Sequence, residues 1–243
     1  MSAATNAVAD LTADARVLWR LLRGQPRTGD HAERLQAFYA PQATRYDAFR
    51  ARLLHGREAM IERLEIPPGA HVVELGCGTG SSLAMLGDRV AGLAQFDLVD
   101  LCPALLAQAR QRAAGLTNVA VIEADATLWQ PARPVDRVFL SYALTMMPDW
   151  QRVIDNAHSM LAPGGRIGVV DFHLPAAAGR LGNAFWRHWF GHDGVHLSAA
   201  HLPALRRAFP TYSEAELRAP VPYLPGLRAP YYWFVGEPAA RVR

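Results

Sequence analysis

A chain of 243 residues with a net charge of +3, 51% hydrophobic and 19% charged, can bury one full core and is too apolar for a disordered polymer. Every basic residue is Arg, and no basic cluster alternates with aromatics as a groove for stacked bases requires, which argues against nucleic acid as a partner. Two cysteines, Cys77 and Cys102, do not make a disulfide framework; the first residues lack a signal-peptide pattern, and no apolar run reaches about eighteen residues, so the expectation is a cytoplasmic chain, neither exported nor membrane-spanning.

Residues 8–23 read as a helix, with Leu11, Ala15, Leu18 and Leu22 on one stripe, Trp19 and Leu21 widening it and Arg16, Arg20 and Arg23 at its edges. Gly24, Pro26 and Gly29 end it. Such a helix packs on the domain as a lid or lies in a membrane interface, and the pattern fits both. A second helical stretch, 32–54, is interrupted by Pro41.

From residue 71 strands and helices alternate. Strands are expected at 71–75, 94–100, 119–123, 135–141 and 166–172, with helices at 81–86, 103–114 and 150–161 between them. Parallel strands joined by helical crossovers need cover on both faces, which predicts a three-layer α/β domain. Pro163-Gly164-Gly165 reads as a sharp stop between helix and strand. Helical pieces follow at 179–190 and 198–209. Segments 215–219 and 231–236 then pair as antiparallel strands across a proline-rich connection. The domain division is an N-terminal helical segment over 1–66, one α/β domain over 67–237, and a tail over 238–243.

The stretch from Val72 to Gly80 organises the rest. An apolar β-branched run enters three glycines at alternate positions and a helix-compatible segment follows, the layout of a nucleotide crevice at the carboxyl end of a parallel strand. The dinucleotide fingerprint is G-x-G-x-x-G, whereas here Gly76-x-Gly78-x-Gly80 follows Glu74. Asp100 ends the second strand and can accept hydrogens from both hydroxyls of a ribose, or cap the helix that starts near Pro103. Asp125 follows the third strand, as a ligand contact or a turn residue. Ser141 and Tyr142 end the fourth.

This E-x-G-x-G-x-G run resembles the first motif of class I S-adenosylmethionine-dependent methyltransferases. The resemblance implies a Rossmann-like sheet, mostly parallel with an antiparallel C-terminal strand, and N-terminal helices as a lid. It implies S-adenosylmethionine as cofactor, S-adenosylhomocysteine as product, and no metal. Glu74, Gly76, Cys77, Gly78, Thr79 and Gly80 would back the amino-acid end of the cofactor. Asp100 and Leu101 would meet the ribose and Asp125 and Ala126 the adenine. Ser141 would lie near the methyl group, with Tyr46 and Arg50 capping the site from the N-terminal side.

Segments outside this core resemble one subfamily, the N-methyltransferase that trimethylates diacylglyceryl-homoserine to a betaine lipid. They include Phe38-Tyr39-Ala40-Pro41-Gln42, Tyr46-Asp47-Ala48-Phe49-Arg50, Leu54-x-Gly56-Arg57, Ser141 through Trp150, Val170-Asp171-Phe172, Trp189-Phe190-x-x-Asp193 and Val221 through Gly226. His173 departs from the aromatic expected there. The resemblance implies an amino-lipid substrate, contact with a membrane surface on the inner face of the cytoplasmic membrane, and a separate enzyme that makes the homoserine lipid. Tyr142 is the best-placed aromatic face for a methylated ammonium. His173, His188, His192, Asp193 and His196 are candidate proton acceptors, of which His192 and Asp193 are assigned with Tyr142 to the catalytic set. Arg50 or Arg228 would receive the homoserine carboxylate. The rival readings are a methyltransferase for a quinone, phospholipid or small amine, a non-catalytic S-adenosylmethionine-binding protein, and a nicotinamide dehydrogenase.

Overall fold

The computed structural model describes residues 52–175, 179–191, 195–222, 224 and 226–239. Tyr46, Arg50, His192 and Asp193, together with the expected helix 8–23 and most of 32–54, lie outside these described residues.

Five strands run in one direction: β1 (His71–Leu75), β2 (Gln95–Asp100), β3 (Val119–Glu123), β4 (Val135–Ser141) and β5 (Leu161–Phe172). β1 lies between β2 and β4, with β3 outside β2 and β5 outside β4, all in parallel register. β7 (Arg228–Glu237) then runs antiparallel to β5 and to the edge strand β6 (Thr211–Pro220). The sheet order is β3-β2-β1-β4-β5-β7-β6, the mostly parallel sheet with an antiparallel C-terminal strand that the motifs imply. β1 is buried along its whole length, as a central strand covered on both faces must be.

The helices divide between the faces. Buried side chains of α1 (Arg57–Arg63), α2 (Ser82–Leu86), α3 (Pro103–Arg112) and α5 (Gly179–Gly191) join Val72, Phe96, Leu98, Phe139 and Val170 in one core cluster. Those of α4 (Trp150–Met160) and α6 (His201–Ala208) join Val73, Leu75, Val99, Leu140, Tyr232 and Phe234 in the other. Neighbouring residues of β1 thus feed opposite cores, which is the two-residue period of a strand. Each large side chain so buried contributes about 1.5–3 kcal/mol.

Two details correct the sequence reading. Pro163-Gly164-Gly165 does not separate helix from strand: Leu161 already pairs with Val135, and the register then jumps to Arg137 and Arg166, so the turn is a bulge inside β5. Helix α1 was not singled out at all. It is only seven residues long, but Met60 and Ile61 are buried against the sheet, and a side chain at Gly168 would overlap Met60. Arg137 closes its C-terminus, donating to the carbonyls of Leu64 at 2.7 Å and Glu65 at 2.9 Å.

Candidate active site

The glycine loop leaves β1 with Gly76, Gly78 and Gly80 at φ values of +73°, +55° and +69°. Only glycine holds that region without strain. A Cβ on Gly76 would also come within 2.5 Å of Ala143 Cβ, and one on Gly80 within 3.1 Å of Ala109 Cβ. The loop is fastened from below: the N–H groups of Gly76 and Cys77 both donate to Val99 O, at 2.8 and 3.0 Å. Asp100 holds it from the side, accepting from Gly78 N–H at 2.8 Å and Cys102 N–H at 2.9 Å. Arg112 grips Thr79 through its carbonyl at 2.9 Å and its hydroxyl at 2.8 Å. Glu74 is buried and receives a short hydrogen bond from Ser82 Oγ, which ties the strand end to the start of α2. Burial first, then the charges of Asp100 and Glu74, push the Cys77 thiol well above its ordinary pKa, so it packs as a neutral group.

A cleft opens at the carboxyl ends of β1 to β4. Gly76 and Gly78 form its floor, Asp100, Leu101, Cys102 and Leu105 one side, and the segment 124–127 the next. Tyr142, Ala143, the segment 146–149 and Val153 close it. Three carboxylates, Asp100, Asp125 and Asp149, stand on this lining, and among the described residues no Arg or His does. Asp125 is held by its own turn, its Oδ1 accepting from Thr127 N–H and Oγ, each at 2.8 Å.

Of the residues named from the sequence, Gly76, Gly78, Asp100, Leu101, Asp125, Ala126 and Tyr142 come together on this one cleft. Glu74, Cys77, Thr79, Gly80 and Ser141 stand behind it and shape the loop and strand ends. The segment 146–149 with Asp149, and Cys102, Leu105 and Val153, had not been assigned a role. Their position just past β2 and β4 was the available signal.

Tyr142 is the strained residue of the site. Its φ is +54°, its N–H donates to Val170 O at 2.7 Å, and its hydroxyl donates to His55 O at 2.8 Å. A bulky residue in that region costs about 1–3 kcal/mol and persists where surrounding structure imposes it. Here its ring meets Phe172 edge-on at 4.7 Å while it lines the cleft. Behind the cleft, fully buried Asp171 accepts from Thr145 N–H at 3.0 Å, Thr145 Oγ at 2.7 Å and Phe172 N–H at 2.8 Å. Burial raises its pKa to about 6 against these hydrogen bonds, which pull it down. It thereby pins the 3-10 turn Leu144–Met146, whose last residue faces the cleft.

The candidate proton acceptors are dispersed. His173 is buried with Nε2 3.8 Å from Glu216 and its ring edge-on to Tyr232, and burial pulls its pKa down despite Glu216. His188 and His196 are exposed. None of these three lines the cleft. Arg228 is exposed at the start of β7 and donates to Arg218 O at 2.9 Å. Among the described residues no cluster of His, Cys, Asp and Glu is arranged to hold a metal ion.

Residues 72–165 match the family described as a methyltransferase domain. A trans-aconitate 2-methyltransferase of Escherichia coli is 32% identical over 116 residues, covering 48% of this chain and 43% of the relative. The chain thus spans less than half the length of that relative. A 2-phytyl-1,4-naphtoquinone methyltransferase of Thermosynechococcus vestitus is 28% identical over 190 residues, covering 73% of this chain and 84% of the relative. The N-methyltransferase NodS of Bradyrhizobium japonicum, solved with S-adenosyl-L-homocysteine, shares the fold with a TM-score of 0.60 at 18% identity, covering 86% of this chain and 99% of that one. Over residues 72–165 the chain thus matches a methyltransferase domain, and its fold is the one shared with that solved N-methyltransferase.

Proposed function

We propose that the chain is an S-adenosylmethionine-dependent N-methyltransferase that trimethylates the amine of diacylglyceryl-homoserine. The observation that carries the donor is the charge of the cleft: three carboxylates and no basic side chain among its described lining residues. A dinucleotide brings a pyrophosphate that such a wall repels, whereas S-adenosylmethionine brings a sulfonium and an ammonium, and its ribose and adenine offer hydrogens to carboxylates. The residues fit the donor in kind: Asp100 for ribose hydroxyls, Asp125 for the adenine amino group, and Leu101, Leu105 and Ala126 as apolar walls.

When bound, S-adenosylmethionine would supply a methyl group on a sulfonium: the ammonium first gives up a proton, and in-line attack by the freed lone pair would form the N–C bond as the C–S bond breaks, leaving the sulfur as the neutral thioether of S-adenosylhomocysteine. The protein's part is placement and electrostatics. Tyr142 presents an aromatic face beside the loop, suited to an ammonium that gains methyl groups. The acidic lining favours a cationic product and disfavours a polycarboxylate acceptor in the same cleft. Proximity and alignment can supply most of the acceleration, about 7–11 kcal/mol at best. An amine whose pKa is lowered by burial can release its proton to water, so no described histidine is needed on the cleft. The lipid acceptor itself rests on the resemblance of segments outside the donor core, and it requires contact with a membrane surface and a separate enzyme that makes the homoserine lipid.

The test offers purified protein methyl-labelled S-adenosylmethionine with three acceptors: homoserine lipid in vesicles, a reduced naphthoquinone and trans-aconitate. Label in mono-, di- and trimethylated lipid is the expected result. Label in the quinol or the acid alone would replace the acceptor and keep the methyl donor.

A further inference from the structure

Helix α5 carries two apolar faces. Trp186 and Phe190 are buried in the core, as an amphipathic helix demands. Leu181, Phe185 and Trp189 recur at four-residue steps on another side, with Leu181 89% and Phe185 46% exposed and Trp189 half-buried. Arg187 is exposed beside them, and the thirteen residues of α5 include two Arg and no Asp or Glu. The outer face is not isolated from the site. Ring contacts run from Tyr142 on the cleft to Phe172 at 4.7 Å, on to Phe190 at 4.3 Å, to Trp186 at 5.5 Å and to Phe185 at 5.0 Å.

We infer that α5 is the element that seats this protein on an anionic lipid surface, with Leu181, Phe185 and Trp189 entering the boundary between headgroups and acyl chains. The inference rests on the lipid-acceptor reading and specifies which surface meets the bilayer. Charge decides among the occupants. A helix with apolar and aromatic side chains outward, Arg alongside and no acid matches the chemistry of a helix lying in the interface of anionic lipid. Arg187 keeps its guanidinium at the headgroups while its stem lies along the apolar stripe. No described helix is long and apolar enough to cross a membrane, so α5 acts from the surface. The aromatic contacts join the outer face of α5 to the wall of the cleft through one packed layer.

The experiment is co-sedimentation of the full chain with vesicles of equimolar phosphatidylglycerol and phosphatidylcholine, and with phosphatidylcholine alone. Binding to the anionic vesicles that weakens with salt is expected, and the double variant Leu181→Ser, Phe185→Ser should partition at least about tenfold less. Its S-adenosylhomocysteine affinity and Tm should match the parent, because both side chains are exposed. A parent that binds no vesicles, or a variant that binds as well as the parent, overturns the inference. So does a variant with lowered Tm, which would show the face packed within the chain, or one that loses a dimer by light scattering. Homoserine lipid methylated equally by parent and variant would remove α5 and keep the acceptor. Vesicle binding through α5 without methyl transfer to that lipid would remove the acceptor and keep the surface.

Discussion

The two ends of the sheet use the same residue types for opposite purposes. At the amino end, buried His71 and Asp97 meet at 2.7 Å, Gln95 donates to Asp97 at 2.8 Å, and Asp136 takes His71 N–H at 2.8 Å. These groups bond mainly to one another, with His71 Nδ1 left without a partner among the described residues. At the carboxyl end, Asp100, Asp125 and Asp149 stand on an open cleft, and Gly76, Gly78, Gly80 and Tyr142 all sit at positive φ. On the cleft a strained Tyr142 and three carboxylates of one sign stand together where a ligand is expected, whereas His71, Asp97 and Gln95 meet one another at the far end.

The sharpest way to break that contrast is Gly76→Ala. The new Cβ would demand a left-handed alanine and press on Ala143, displacing the floor of the cleft. S-adenosylhomocysteine affinity, read by titration calorimetry, should fall by about a thousandfold or more, while the far end stays intact. The mirror experiment is Asp97→Ala. Losing one partner of a buried pair should cost about 3 kcal/mol in urea unfolding and leave ligand affinity within about twofold, because Asp97 lies three residues before Asp100 on β2 and its carboxylate meets His71 and Gln95, none of which lines the cleft. A tenfold loss of affinity in that variant would mean that the two ends are coupled.

The same contrast explains what the sequence showed. The loop, Asp100, Asp125 and Tyr142 were legible because a parallel strand delivers its next residue to the crevice, so strand ends and short spacings locate them. The sheet was legible for the same reason, since β1, β3 and β4 are short apolar runs bounded by turns. Helix α1 was not, because Met60 and Ile61 are too few to mark a period in seven residues. β6 was read short because an edge strand is mostly exposed and alternates weakly, carrying Glu214, Glu216 and Arg218 along its length. The histidines could not be ranked: spacing does not say that His173 turns toward Glu216 and away from the cleft.

Asp171 extends the comparison to pH. Its folded pKa of about 6 lies above the ordinary carboxyl value, so the folded protein binds more protons than the unfolded chain between about pH 4 and 6. Its contribution is therefore most favourable in acid and is lost as pH rises through 6. Asp171→Asn removes that titration while keeping the shape. Its stability relative to the parent should rise by about 2 kcal/mol between pH 4.5 and 7.5, measured by urea unfolding at both values. A flat difference would mean that Thr145 and the backbone donors hold Asp171 ionised throughout.

His201 should show the opposite slope with the smallest effect. It begins α6 with no exposed surface, its ring edge-on to Trp150 at 4.6 Å, and neither ring nitrogen finds a hydrogen-bond partner among the described residues. Burial alone lowers its pKa to about 4. The unfolded chain therefore takes up the proton first as pH falls below about 6.5, and the stability of the folded form declines from there toward pH 4. His201→Leu removes both the titration and the orphaned nitrogens at some loss of ring contact with Trp150. It should be close to neutral at pH 7.5 and more stable than the parent by about 1–2 kcal/mol at pH 5. A variant destabilised at both pH values would show that the ring nitrogens are hydrogen-bonded in solution, and would give this end of α6 a buried polar network like the one around His71.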